Sequence, residues 1–434
     1  MSRFVRASKV RHVYCNTSKN EEHYTDFRLS TATGDHNYIK ANARFFAIPV
    51  ATGGGSLAIW PIDKPGRLPA TLPVLDGHKG PVLDFDFHPF RENMIGTGGD
   101  DCTIKVWGFS PEGLTKTISD PLVDMNEHMK KVVCVLWHPT ANDIIASGSA
   151  DHLVKIWDIT TGDSKVTLDH GDVIQDLAWN FDGSQLATSC KDKNIRLTDP
   201  RTNSFSETFM AHEGSKSCKV TYLGEHGNLV TVGFTRQSKR QFKIWDPRKV
   251  ASPLASVDID QAAGVLMPFF DAGTNLLYLA GKGDGNVRYY EMVGESPYQF
   301  SIADHKTTMP TKGMCLVPTR SLDVMKCEVT RMLKLHSNMV EPLSFVCPRK
   351  SDLFQEDLYP DCYAGKAAMT NEDYWNDKNK KPIMMSLDPS KRSDAKGGAA
   401  AVDFKAKASR SDLEKHIKYL EGLLSKNNIK HDSI

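Results

Sequence analysis

One short strand recurs along most of this chain, and the interval at which it returns limits the folds open to it. The segments IKVWG (104–108), VKIWDI (154–159), IRLTDP (195–200), FKIWDP (242–247) and VRYYEM (287–292) align on Trp107, Trp157, Thr198, Trp245 and Tyr290, at intervals of 50, 41, 47 and 45 residues. LAIWP adds Trp60, 47 residues before Trp107. A period of about 40–45 residues is that of a four-stranded WD-type propeller blade, here lengthened by loops. MCLVP (314–318) and EVTRMLKLH (328–336) supply a degenerate seventh unit. The spacing predicts an all-β, seven-bladed WD-repeat β-propeller over residues 1–345. The N-terminal strand FVRASKVRHVY is expected to complete the last blade, hiding two sheet edges at once.

The register within the units is as informative as the period. Ten residues before the Trp position stand Thr97, Ser147 and Thr188; six before it stand Asp101, Asp151 and Asp192; 28 or 29 before it stand His78, His128 and His170. A His, a hydroxyl, an Asp and a Trp N–H held in fixed register make a buried hydrogen-bond chain. Each member would be costly to bury alone, so the set occurs together. His78, Thr97, Asp101, Trp107, His128, Ser147, Asp151 and Trp157 are therefore read as structural, not as catalytic triads or metal ligands. In the third of these units Thr198 stands for Trp and the chain is incomplete.

Composition narrows the function classes. Fifty-four Lys plus Arg against 53 Asp plus Glu leave a net charge of +1, which argues against a nucleic-acid binder and leaves local basic patches as the candidate surfaces. Nine dispersed cysteines without a CxxC pair read as free thiols in a reducing compartment. No apolar run approaches the roughly 18 residues of a membrane span. HExxH, GxSxG and GxxxxGK[ST] are missing, and Gly281, Gly283 and Gly285 lead into a strand where a phosphate cradle needs a helix. Asp84 with Asp86 and Asp258 with Asp260 alternate on predicted strands. No enzyme, cofactor or metal is expected.

Beyond the ring, residues 346–385 read as an ordered extension anchored by aromatic side chains such as Phe354, Tyr359 and Tyr363. Residues 386–410, rich in Gly, Ala, Ser and charge, read as a flexible linker. Residues 411–429 read as a helix with Ser411 as N-cap and Glu414 three residues on. Its stripe of Leu413, Ile417, Leu420 and Leu424 is the a/d pattern of a coiled coil, the predicted homo-oligomerisation helix.

The motifs SRFVRASKVRHVY, YTDFRLS, GHKGPVLDFDFHP, CKDKNIRLTDPR, GVLMPFFD, YLAGKGDGNVRYYE and PRKSDLFQEDLYPD resemble those of the coronins. The resemblance implies a propeller with a packed extension, a linker and a coiled coil. It further implies a cytoplasmic scaffold of the actin cytoskeleton and cell cortex that binds or cross-links filamentous actin and links it to the actin-branching nucleator complex and to severing factors. The family's actin contact maps onto Arg28 in YTDFRLS, with Lys216 and Lys219 in HEGSKSCKV as secondary positions. His416 stands where the short coronins carry an Arg before the a position, so dimer, trimer and tetramer all stay open. The alternative is a WD-repeat adaptor for a non-actin protein partner in trafficking or signalling.

Overall fold

The computed structural model describes residues 6–52 and 54–391. The predicted oligomerisation helix, with Leu413, Ile417, Leu420 and Leu424, lies outside the described residues, as does most of the predicted linker. Six antiparallel sheets of four strands follow one another along the chain, and a seventh sheet, of six strands, closes the ring. Blades 1 to 6 span residues 40–78, 82–125, 132–169, 174–210, 219–260 and 266–305; blade 7 takes three strands from 313–346. The first strands of successive blades touch in a closed circuit, the seventh meeting the first, and they line a central channel.

Each sheet lies face to face with two neighbours, so its middle strands have no wet side. MIGTGG, IIASGS, LVTVGF and LLYLAG, the second strands of blades 2, 3, 5 and 6, are buried at every position. Apolar clusters fill the space between blades: Met94, Ile104 and Val106 of blade 2 pack on Val132, Trp137 and Ile145 of blade 3. Gly98 and Gly148 occupy equivalent sites in those second strands. A Cβ there would come within 2.7 Å of Val132 and Val135, or of Ile174, so each glycine is what lets the next blade's first strand approach.

The fourth strand of blade 7 comes from the N-terminal region, but not from the residues the sequence suggested. Tyr14–Thr17 pairs with Leu343–Val346 and Tyr24–Thr25 with Met339–Val340. FVRASKVRHVY meets this strand only at its last residue, since residues 9–12 form turns. Val10 and Val13 are both buried in the cluster between blades 6 and 7, and a spacing of three suits a turn where a strand would alternate. Arg6 and Ser8 reach Glu291 of blade 6. Gly66–Arg67 runs parallel to Tyr24–Thr25, which ties blade 1 to the closing strand.

Residues 347–391 cross the end of the ring that we call lower, where first strands meet second strands. Phe354 stacks on Tyr359 at 5.5 Å, and the Tyr359 hydroxyl donates to the Glu328 carbonyl at 3.0 Å. Tyr363 donates to the Pro139 carbonyl at 3.0 Å. The short helix Asn371–Trp375, capped by the Thr370 hydroxyl, seats Tyr374 with no exposed surface against the His138 ring, under the Arg201 guanidinium. Asn371 donates to both oxygens of Asp158 at 3.1 Å. Asn371→Ala is expected to cost about 1–2 kcal/mol, a hydrogen bond to a charged acceptor, and to speed proteolysis within 364–391 at unchanged ring secondary structure. Limited digestion followed by mass spectrometry reads this.

Candidate functional site

The upper end of the ring carries the loops that open each blade and those joining second to third strands. The two loop types are stitched together in blade after blade: Asp100 N–H donates to Pro81 O, Ala150 to Lys131 O, Lys191 to Val173 O, Lys282 to Val265 O and Lys312 to Leu335 O. The buried polar chains hold this end from below. In blade 2, His78 Nδ1 meets Asp101 at 3.0 Å and Nε2 meets the Thr97 hydroxyl at 2.7 Å, while Trp107 Nε1–H donates to the same hydroxyl at 2.9 Å. In blade 3, His128, Asp151, Ser147 and Trp157 repeat the pattern with all three contacts at 2.8 Å. Asp101 accepts the Lys79 N–H, and Asp151 the Met129 N–H, so each aspartate also fixes the loop above it. Burial disfavours both carboxylates, but their hydrogen bonds, those from His78 and from Met129 N–H with His128, outweigh it and hold both below the ordinary range.

His128, Asp151 and Ser147 have the connectivity of a hydrolytic triad. Ser147 has no exposed surface and accepts the Trp157 N–H, so no substrate can reach its hydroxyl. In blade 4 the chain is rearranged. His170 holds Thr188 at 2.8 Å but turns Nδ1 to the Leu168 carbonyl, because Asp192 is taken by Arg196 at 2.6 Å. Phe205 packs edge-on to His170 at 4.9 Å on the side left free by Thr198. Blade 5 carries a chain that the spacing missed: His212 and Trp245 both meet the Thr231 hydroxyl at 2.9 Å, and Gln241 replaces the aspartate at 3.0 Å from His212 Nδ1.

Exposed cations gather on the upper end. Arg28 is exposed and lines a groove of about 750 Å³ with Phe27, Val50, Leu68, Leu72 and Arg67, the last paired with Asp26. The segment's backbone fixes it in place: Ala51 N–H donates to Arg28 O at 2.9 Å, and Leu29 bridges to Val50. Lys79, Lys130, Lys131, Lys191 and Lys312 are exposed on the surrounding loops. Lys216 is exposed too, with its ammonium 4.7 Å over the Phe234 ring and donating to Ala263 O at 2.9 Å. Arg28 and Lys216 border separate hollows that share no lining residue.

Lys219 corrects the sequence reading. It is buried in the channel wall, 3.3 Å from Asp176 and donating to Gln175 O at 3.2 Å. Burial disfavours its charge, yet Asp176 outweighs this and holds its pKa above the usual lysine value. A first-strand position faces the channel, which the sequence could not separate from the loop beside it. Lys40 plays a similar part opposite Asp84, at 3.1 Å, and Asp86, which burial pushes up to about 6. Among the described residues no cluster of His, Cys, Asp or Glu could hold a metal ion, and no helix is long and apolar enough to cross a membrane.

Comparison with known proteins agrees with this architecture. Residues 70–108, 119–158 and 162–199 match the WD domain, G-beta repeat; residues 340–382 match a type of WD40 repeat, and residues 3–67 a domain of unknown function, DUF1899. Coronin-A of Dictyostelium discoideum is 43% identical over 450 residues, covering 99% of either chain. The crystal structure of the WD40 domain of Toxoplasma gondii coronin superposes with a TM-score of 0.83 at 32% identity, over 87% of this chain and 98% of that one. A chain of the mitotic checkpoint complex, at 14% identity and a TM-score of 0.57 over 80% of this chain and 97% of its own, shares the fold alone.

Proposed function

Because this chain belongs to the coronin family, we propose that it binds filamentous actin through the open upper end of its propeller, with Arg28 as the principal contact and Lys216 as a secondary one. An actin-associated WD-repeat protein is what the family gives; the surface and its residues are the proposal. The carrying observation is the placement of Arg28: an exposed cation on a rigid backbone beside a groove, at the end of the ring that the described extension leaves open. A protein of net charge +1 meets an acidic filament only through such local clusters. The nucleator complex and severing factors, together with a place in the cytoplasm at the cell cortex, belong to the same reading. Self-association through residues 411–429, inferred from sequence, would join several weak propeller contacts into one avid attachment.

Co-sedimentation with actin filaments across a salt series tests this. Wild-type binding should fall as salt screens the exposed charges. Arg28→Asp should weaken it at least about tenfold, some 1.4 kcal/mol, at an unchanged melting temperature. A truncation after residue 405 should lose avidity and keep the Arg28 dependence. Wild-type protein that stays in the supernatant at low salt, or Arg28→Asp that pellets like wild type, would reject the assignment.

A further inference from the structure

The channel mouth is built differently from the Arg28 groove and shares with the proposed actin surface only the secondary contact Lys216. A cavity of about 600 Å³ opens there, and its lining contains five lysines, Lys131, Lys191, Lys216, Lys219 and Lys282, against the single carboxylate Asp35. That carboxylate already accepts from the Ser217 hydroxyl, and Lys219 is already paired with Asp176. Lys131 and Lys191 are exposed on adjacent loops and face the opening without an acidic partner in the lining. Residues 33–36 close the far side. They cross from blade 1 and are fastened by the Lys282 ammonium, which donates to the carbonyls of Gly34 and His36 and lies 4.3 Å over the Tyr38 ring. Burial pushes Lys282 down to about 8, against the opposing charge of Asp35 and with Lys219 and Lys312 adding to the fall. A seated anion would reverse it.

The rest of the lining says which anion. Leu83, Val133, Val173 and Val265 stand between the lysines, and Val133 and Val173 are half-exposed. A free phosphate would leave that apolar surface wet. An extended polypeptide points successive side chains to opposite sides every ~3.3 Å, so it can set apolar side chains against the valines and carboxylates against the lysines. The volume lies within the range of about 300–1,000 Å³ in which compact ligands are held. We propose that the channel mouth binds an extended acidic peptide segment of a partner protein, one in which apolar residues alternate with Asp or Glu, independently of the actin contact at Arg28.

The test is fluorescence anisotropy of a labelled dodecapeptide of alternating Glu and Leu or Val, titrated with the full chain. Saturable binding is expected, with about a tenfold loss on replacing Glu by Lys or the apolar residues by Ser. Lys131→Glu with Lys191→Glu should weaken it about tenfold or more, and both positions are exposed, so the melting temperature should hold. Arg28→Asp should bind the peptide as wild type, and the double lysine variant should still pellet with actin. Failure of actin binding with peptide binding intact would reject only the proposal at Arg28. No saturable binding, or displacement by inorganic phosphate at constant ionic strength, would overturn the peptide site. So would a parallel loss of peptide and actin binding in the double lysine variant, since the mouth would then belong to the filament surface.

Discussion

Lowering the pH from 6.5 towards 4.5 is expected to destabilise the propeller by several kcal/mol, through four buried histidines that the fold holds neutral. Burial lowers His88 and His170 to about 4 and His138 and His212 to about 3, with the Lys243 charge adding to the last. The hydrogen bonds explain why His138 resists charging. Its Nδ1 accepts from the N–H groups of Thr140 and Ala141 at 3.2 and 2.8 Å, so a proton there would face two donors. His88 Nδ1 likewise accepts from Phe90 and Arg91, both at 3.1 Å. An unfolded histidine takes up its proton near pH 6.5, whereas these folded ones do so only near 3 to 4. Between those limits the unfolded state binds more protons. Their contribution is therefore complete above pH 6.5 and is lost as the pH falls towards 4. Each group contributes at most about 1.4 kcal/mol per pH unit, so the four together reach about 5 kcal/mol per unit. Urea unfolding followed by tryptophan fluorescence from pH 7.5 to 4.5 reads the slope. His138→Asn should be less stable at pH 7 and should flatten the slope by about a quarter. A midpoint constant between pH 7 and 5 would contradict the account.

Those histidines also show where sequence reasoning stopped. The blade period was legible because every blade repeats one geometric problem, a face-to-face packing that needs small and β-branched residues at the same places. His78 and His128 were legible because their partners sit at fixed offsets in loops of equal length. His212 was invisible to that arithmetic. The loop joining the second and third strands of blade 5, residues 235–239, separates Thr231 from Trp245 by 14 residues, where blades 2 and 3 have 10. Asp192 misled in the opposite sense: its offset was right, but Arg196 two residues before Thr198 captured it. His88 and His138 stand in HP turns whose lower-end role shows only when Asp143 or the extension's Tyr374 is in place.

The candidate surface was legible unevenly, for a physical reason. A cation carries no periodic signature, so Arg28 could be named only through family likeness, and its groove came from the pairing of blade 1 with the closing strand. Lys216 and Lys219 are three residues apart, yet one rides on a loop and the other enters the first strand of blade 5 and turns into the channel. The channel mouth could not be foreseen at all, since Lys131, Lys191 and Lys282 come from blades 3, 4 and 6 and meet only when the ring closes.

Trp157→Ala is expected to be among the most damaging single substitutions in the ring, and blade 4 explains why. Trp157 has no exposed surface; its indole sits beside the His128 ring at 5.9 Å and donates to Ser147 at 2.8 Å. Deleting a buried Trp side chain costs about 3–5 kcal/mol in lost burial and residual cavity. Leaving Ser147 short of a donor adds a further part of the ~1–3 kcal/mol for an unsatisfied buried group. Blade 4 does without a tryptophan because Thr198 gives its hydroxyl to the Ser204 carbonyl and Phe205 covers His170. Blade 3 shows no equivalent aromatic against His128 besides Trp157, among the described residues. Trp157→Phe separates the two contributions, retaining most of the burial and losing the hydrogen bond, for about 1–2 kcal/mol. The damage should also travel upwards. His128 orients Asp151, and Asp151 holds the Met129 N–H that leads into Lys130 and Lys131. Hydrogen exchange should therefore rise at residues 129–131 in Trp157→Ala, with acidic-peptide binding weakened even at temperatures where the ring stays folded. Unchanged exchange there, beside a lowered urea midpoint, would show that the tetrad stabilises the blade without positioning the channel mouth.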